Sequence, residues 1–160
     1  MGEIARLRER ALDLLEKIRW LAPLLGRLGV GLLFLSTGWG KVHSIDKVTD
    51  FFVSLGIPAP HFQAILVSYS ELLCGTGLIV GLLTRLATIP LIVSMIVAIL
   101  TAKRAELHGV FDLVGFDEFT YLVVLVMVAI IGPGAVSLDA LLVKRLGWRT
   151  ADAPRGDARV

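Results

Sequence analysis

The chain predicts an all-α integral membrane fold: a four-helix transmembrane bundle with an N-terminal amphipathic interfacial helix and a short C-terminal helix. Three observations predict it. First, 56% of the 160 residues are hydrophobic and the mean hydropathy is +0.79, whereas an ordinary globular domain is roughly 45–50% apolar even with glycine counted. Second, four runs approach the about 20 apolar residues that a helix needs to cross a hydrocarbon core, the shorter ones with local thinning and snorkelling. Third, the runs lack the two-residue alternation of barrel strands, and only helices and closed barrels satisfy backbone polar groups in lipid.

The elements follow in order. Residues 1–20 form the first unit, with a helix over 4–20. Ile4, Leu7, Ala11, Leu14, Leu15 and Ile18 recur at helical spacing, and Glu3, Arg6, Arg10, Asp13 and Lys17 fill the remainder. Its mixed basic character and terminal Trp20 suit a helix lying in the cytoplasmic interface; a soluble helix packed on the bundle is the alternative. The interspersed acids and the lack of a well-placed small-residue cleavage site argue against a cleaved signal peptide. Residues 21–146 hold the transmembrane unit, with spans expected at 21–40, 62–83, 86–102 and 116–131. Pro58 and Pro60 enforce an extended approach to the second span. Pro90 leaves a carbonyl free or kinks the third. Gly132-Pro133-Gly134 interrupts the fourth, because proline removes a donor and the glycines cost backbone entropy. Ser137 then fits an N-cap for a surface helix over 138–146, with Asp139 in its first turn. Residues 147–160 read as a flexible cytoplasmic tail.

Charge excludes some functions and orients the chain. A net charge of +2, with the basic residues spread over loops, gives no case for nucleic acid. Arg6, Arg8, Arg10, Lys17, Arg19, Arg85, Lys144, Arg145 and Arg149 fall on one side of the spans. The 42–61 and 103–118 loops, where acids outnumber bases, fall on the other. Positive residues mark the cytoplasmic side, so both termini are expected in the cytoplasm of a multi-pass protein of the bacterial or archaeal inner membrane. The single cysteine, Cys74, lies inside the second span, makes no intrachain disulfide and reads as a small apolar residue. No Cys/His cluster has metal-ligand spacing. His43 and His61 share the first outer loop, where water explains them without a metal.

Glu71 is the feature that carries chemistry. It sits mid-run, nine residues past Phe62, or about 14 Å deep at 1.5 Å per residue. An ionised carboxylate there needs a partner or a proton, which makes it a functional-site candidate. Arg27, about 9 Å in from the opposite side, is the expected partner, with Lys41 as a second cation near the outer mouth. Arg27, Gly31, Phe34, Gly38 and Lys41 share one face of the first span; Glu71, Gly75, Leu78 and Arg85 share a stripe of the second. Gly31, Gly38, Gly75, Gly77 and Gly81 are the expected helix-packing residues, because small side chains let helices approach closely in lipid. A purely structural ion pair that sets helix register is the rival reading of the charges.

The order of Arg27, Gly31, Gly38 and Lys41, then Ser70-Glu71-Leu72-Leu73-Cys74-Gly75-Thr76-Gly77-Leu78, then Gly81-Leu82-Leu83-Thr84-Arg85, then Gly132-Pro133-Gly134 and Ser137-Leu138-Asp139 resembles the DoxX family of small bacterial and archaeal membrane proteins. The likeness covers residues 24–142. It implies a four-helix inner-membrane protein, with some relatives tied to respiratory, quinone or oxidative-stress systems. The family pattern maps onto Arg27, Lys41, Glu71, Thr84, Arg85 and Asp139 and assigns none of them a catalytic step.

No cofactor motif is evident. A quinone could bind without one, since such a head group needs an apolar slot and one or two donors or acceptors. The expectation is therefore a redox-linked subunit, part of a quinone-linked oxidoreductase, in which Glu71 and Arg27 act chemically and Lys41, Arg27 and Glu71 contact the ligand. A non-enzymatic scaffold docking through the first helix and the glycine surface is the alternative, and a small-molecule or proton carrier is a third. Expected partners are the lipid bilayer and other redox-complex subunits or further copies of the chain.

Overall fold

The structure, a computed structural model, describes residues 2–146; the tail at 147–160 and Arg149 lie outside them. Eight helices follow in order: α1 (Gly2–Ile18), α2 (Leu21–Val42), α3 (Ile45–Ser54), α4 (Pro60–Val80), α5 (Thr84–Thr101), α6 (Val110–Gly115), α7 (Asp117–Ile131) and α8 (Leu138–Leu146). No strand occurs among the described residues. Three helices, α2, α4 and α5, are long and apolar enough to cross a membrane. The fourth expected run forms α7, which has 15 residues and is about 22 Å long.

The bundle is built on the α2–α4 contact. α5 packs on α4, α7 packs on α5 and more lightly on α2, and α3 lies against α4. Val30, Phe34, Leu78, Ala87, Leu91, Met95, Leu125 and Val128 form the core. Around it, large apolar side chains face outward: Leu73 is 68% exposed, Leu32 57% and Ile130 73%. Apolar surface this extensive belongs in lipid, which solvates it at no cost, and not in water.

Glycine makes the central contact close. A Cβ on Gly38 would lie 2.5 Å from the backbone nitrogen of Leu72, and one on Gly75 would lie 2.6 Å from that of Leu35. At Gly31 it would meet the Gly75 carbonyl at 3.1 Å. The two backbones therefore touch along Gly31, Gly38 and Gly75, with no room for any other residue. Gly77 is looser; its nearest neighbour would be the Leu82 carbonyl at 3.3 Å. Gly81 ends α4 in the left-handed region at φ 71°, which is why the apolar run to Leu83 outlasts the helix.

Two segments read as loops contain helices. α3 occupies half of 42–61 and α6 part of 103–118. Val48 and Phe52 in α3 and Leu55 at its C-cap recur at helical spacing and turn inward together, so the signal was present but shorter than a span. Pro90 lies within α5, which continues past it.

The ends of the helices collect in two groups. The start of α2, the α4–α5 turn, the end of α7 and the start of α8 share one end of the bundle: Arg27 bonds to the Val136 carbonyl, the Asp139 amide to the Gly81 carbonyl, and Arg85 to the Ile130 carbonyl. α3 lies at the other end, against the start of α4.

Candidate functional site

Glu71 is 1% exposed, and its partner is Lys41. The Lys41 Nζ donates to Glu71 Oε1 at 2.6 Å. Thr37 Oγ1 donates to Oε2 at 3.0 Å, and Ser94 Oγ reaches Oε1 at 3.4 Å. The pairing expected with Arg27 is thereby corrected. Gly38 and Gly75 bring the α2 and α4 backbones into contact beside Leu72, the residue next to Glu71. At that separation the four-carbon stem of Lys41 reaches inward from the end of α2 instead of snorkelling out. Its side chain is 34% exposed. Thr37 stands one helical turn before Lys41, so the same face delivers both donors.

Arg27 belongs to a different cluster. It is 1% exposed, and Nη2 donates to the Val136 carbonyl at 2.6 Å. Nε and Nη1 have no hydrogen-bond partner. Asp139 is fully buried. Its Oδ1 accepts from the Leu83 amide at 2.9 Å, and Oδ2 accepts from the Thr84 amide at 3.2 Å and the Thr84 hydroxyl at 3.4 Å. Leu83 has a φ of 48°, a conformation that disfavours an L side chain by roughly 1–2 kcal/mol. A carboxylate accepting the two successive amides holds that turn. Ser137 Oγ accepts the Ala140 amide at 3.1 Å and caps α8 as expected. Gly81 sits against the Arg27 guanidinium, which a Cβ would strike. Asp139 therefore does more than favour a helix dipole: it ties α8 to the α4–α5 turn, while Arg27 ties the segment before α8 to α2.

The Glu71 cluster opens onto a cavity of about 650 Å³ between α3, α4 and α5. Phe51, Phe52, Leu66, Val67, Val93 and Val97 are among its apolar walls. Lys41, Ser70, Glu71, Ser94 and Thr101 supply polar groups to its wall, and Lys47 and Gln63 line it as well. Pro90 also lines it. Arg27, placed with the ligand residues on sequence grounds, is not among the lining residues. Thr37 and Ser94 escaped the sequence reading; a lone hydroxyl within an apolar span was the available signal for each. A mostly apolar cavity of a few hundred cubic ångströms with a few convergent polar groups has the build of a small-molecule site.

The other candidates stay apart. His43 Nδ1 lies 2.8 Å from the Trp39 carbonyl, and His61 lies 3.4 Å from Thr49. Among the described residues, no group of three His, Cys, Asp or Glu side chains is placed to hold a metal. Cys74 is a half-buried free thiol packed against the core. Every described side chain of α1 is exposed, including Ile4 at 78% and Leu7 at 66%.

Comparison with known proteins agrees with this architecture. The chain is 38% identical over 130 residues to an uncharacterized membrane protein of Mycobacterium tuberculosis, covering 74% of this chain and 80% of that one. It is 27% identical to the inner membrane protein YqjF of Escherichia coli, over 82% of this chain and 99% of the relative. It is 31% identical to a Bacillus subtilis protein named "Putative oxidoreductase CatD", over 78% and 89%. No solved structure matches it significantly. The DoxX profile matches residues 22–104, which take in α2 to α5 and with them both Glu71 and the cavity, and the chain is a membrane protein of the DoxX family.

Proposed function

We propose that this protein is a redox-linked subunit of the cytoplasmic membrane that holds a quinone, or a comparable lipophilic small molecule, in the cavity between α3, α4 and α5. The observation that carries the reading is the Lys41–Glu71 pair, its carboxylate buried, in the wall of a mostly apolar cavity. Lys41 anchors a ligand oxygen, and Glu71 exchanges a proton with it as the ring changes redox state, while electrons pass to or from a partner subunit. The relative named as an oxidoreductase supports the redox class. In this reading α7 completes a fourth crossing, and the positively charged end of the bundle, with both chain termini, faces the cytoplasm.

The test is direct binding. Protein in lipid nanodiscs is titrated with a benzoquinone bearing a ten-carbon tail. Wild type is expected to bind it, and Glu71→Gln to bind at least about tenfold more weakly, the scale of losing one interaction with a charged group. Absence of binding by wild type, with Glu71→Gln leaving cellular redox phenotypes intact, removes the reading.

The exposed apolar stripe of α1 favours one further element of the scaffold reading. The glycine surface does not, because Gly31, Gly38 and Gly75 are consumed inside the α2–α4 contact. Deleting residues 1–20 distinguishes the two: a scaffold loses its cellular function and tolerates Glu71→Gln, whereas a ligand-binding subunit shows the reverse.

A further inference from the structure

The unfilled hydrogen-bonding capacity at the cavity's polar end limits what can bind there. An ionised carboxylate only accepts hydrogen bonds and offers about four lone-pair directions. Glu71 Oε1 receives Lys41 at 2.6 Å and Ser94 only at 3.4 Å, and Oε2 receives Thr37 at 3.0 Å. Acceptor capacity is therefore left over, and the Ser94 contact is long enough to yield. Beside it, the Lys41 ammonium carries three N–H groups, of which Glu71 takes one. A free acceptor and a free donor stand next to each other.

One oxygen that satisfies both is a hydroxyl: it donates to Glu71 and accepts from Lys41. A carbonyl can accept from Lys41 but turns its own lone pairs toward the carboxylate. A carboxylate, phosphate or ammonium brings a third charge to a pair that is already neutral, in apolar surroundings where an uncompensated charge is costly. The route in is set by the walls. Phe51, Leu66, Val93 and Val97 all line the cavity, yet remain 51%, 53%, 53% and 44% uncovered by the rest of the chain. That side is open to acyl chains, so the ligand arrives dissolved in the bilayer.

We propose that the cavity selects an uncharged, lipid-dissolved hydroxyl compound, and that for a quinone couple it prefers the reduced hydroquinone to the quinone. The inference rests on the ligand reading above and adds the direction of the preference. It carries no electron-transfer step; it concerns which form stays bound.

The probes are the ten-carbon-tailed benzoquinone, its hydroquinone, and the dimethyl ether of that hydroquinone, each titrated anaerobically against wild-type protein in nanodiscs. The hydroquinone is expected to bind at least about tenfold tighter than the quinone, a strong-hydrogen-bond preference. That preference raises the midpoint potential of the bound couple by about 30 mV. The ether, with the same ring and tail but no O–H, loses the gain. In the double variant Lys41→Gln/Glu71→Gln, folded by circular dichroism, the two redox forms bind within about twofold of each other, because the charged acceptor is gone. Equal or tighter binding of the quinone by wild type, or ether binding as tight as hydroquinone, overturns the preference while leaving the cavity a ligand site. If neither redox form binds, the ligand reading itself fails, and the preference with it.

Discussion

At the scale of single residues, Arg27 and Lys41 divide the work by reach and depth. Arg27 and Glu71 lie on facing stripes, but Arg27 points to the chain-terminal end of the bundle and Lys41 folds back from the other. Replacing Lys41 with Met strands the buried Glu71 carboxylate and is expected to cost up to about 3 kcal/mol, the low end for breaking a buried pair because Lys41 is itself partly exposed. Adding Glu71→Gln should recover part of it, with a coupling energy of at least about 1 kcal/mol in a double-mutant cycle followed by thermal unfolding in detergent. Asp139→Ala removes the acceptor for two amides and the Thr84 hydroxyl. A loss on the order of 3 kcal/mol is expected by the same assay. Glu71 was legible in the sequence as an expensive carboxylate in an apolar run. Its partner was not, because side-chain reach across two antiparallel helices depends on their separation, and a helical wheel does not contain that distance.

At the scale of elements, the glycines decide the separation. Gly75→Leu would drive a side chain into the α2 backbone, where neighbouring atoms would stand 2.6 Å from its Cβ. It is expected to destabilise the bundle by about 1–3 kcal/mol or more. Gly40→Ala, with nothing within 4 Å, should stay within about 0.5 kcal/mol. Parallel denaturation of the two variants checks this; equal effects would mean that the α2–α4 contact is looser than the geometry described above. Sequence periodicity located the long helices to within a few residues, since the cost of unsatisfied backbone in lipid leaves a continuous apolar run little choice. It missed α3 as an element, although α3 provides Phe51 and Phe52 to the cavity. Ten residues fall below the length that the membrane criterion recognises, and the inward turn of Val48, Phe52 and Leu55 acquires meaning only when α4 lies beneath them.

At the scale of the whole molecule, the contacts that join α2, the α4–α5 turn, α7 and α8 put the starts of α2 and α8 at one end of the bundle. With a Cys74→Ser background, a membrane-impermeant thiol reagent is expected to label His108→Cys in intact cells, and Ala11→Cys and Arg145→Cys only after permeabilisation. Labelling of Ala11→Cys and His108→Cys from the same side would overturn the proposed topology. Residues 1–20 are expected to be dispensable for bundle stability, because the described side chains of α1 are all exposed; a truncated chain should melt within a few degrees of the full one.

The sequence by itself determined that this chain is helical, that its long runs suit a membrane, and that Glu71 had to be buried with compensation. Those conclusions follow from local quantities: run length, hydropathy, the energetic cost of a charge in hydrocarbon, and an ordered set of short motifs. Only the tertiary structure decided that Lys41 supplies the compensation, that Arg27 and Asp139 lock the opposite end, and that α3, α4 and α5 leave a cavity beside the carboxylate. Each of these depends on how closely two backbones approach and at what level their side chains meet, and residues 30 to 109 positions apart in the chain settle that only by packing together.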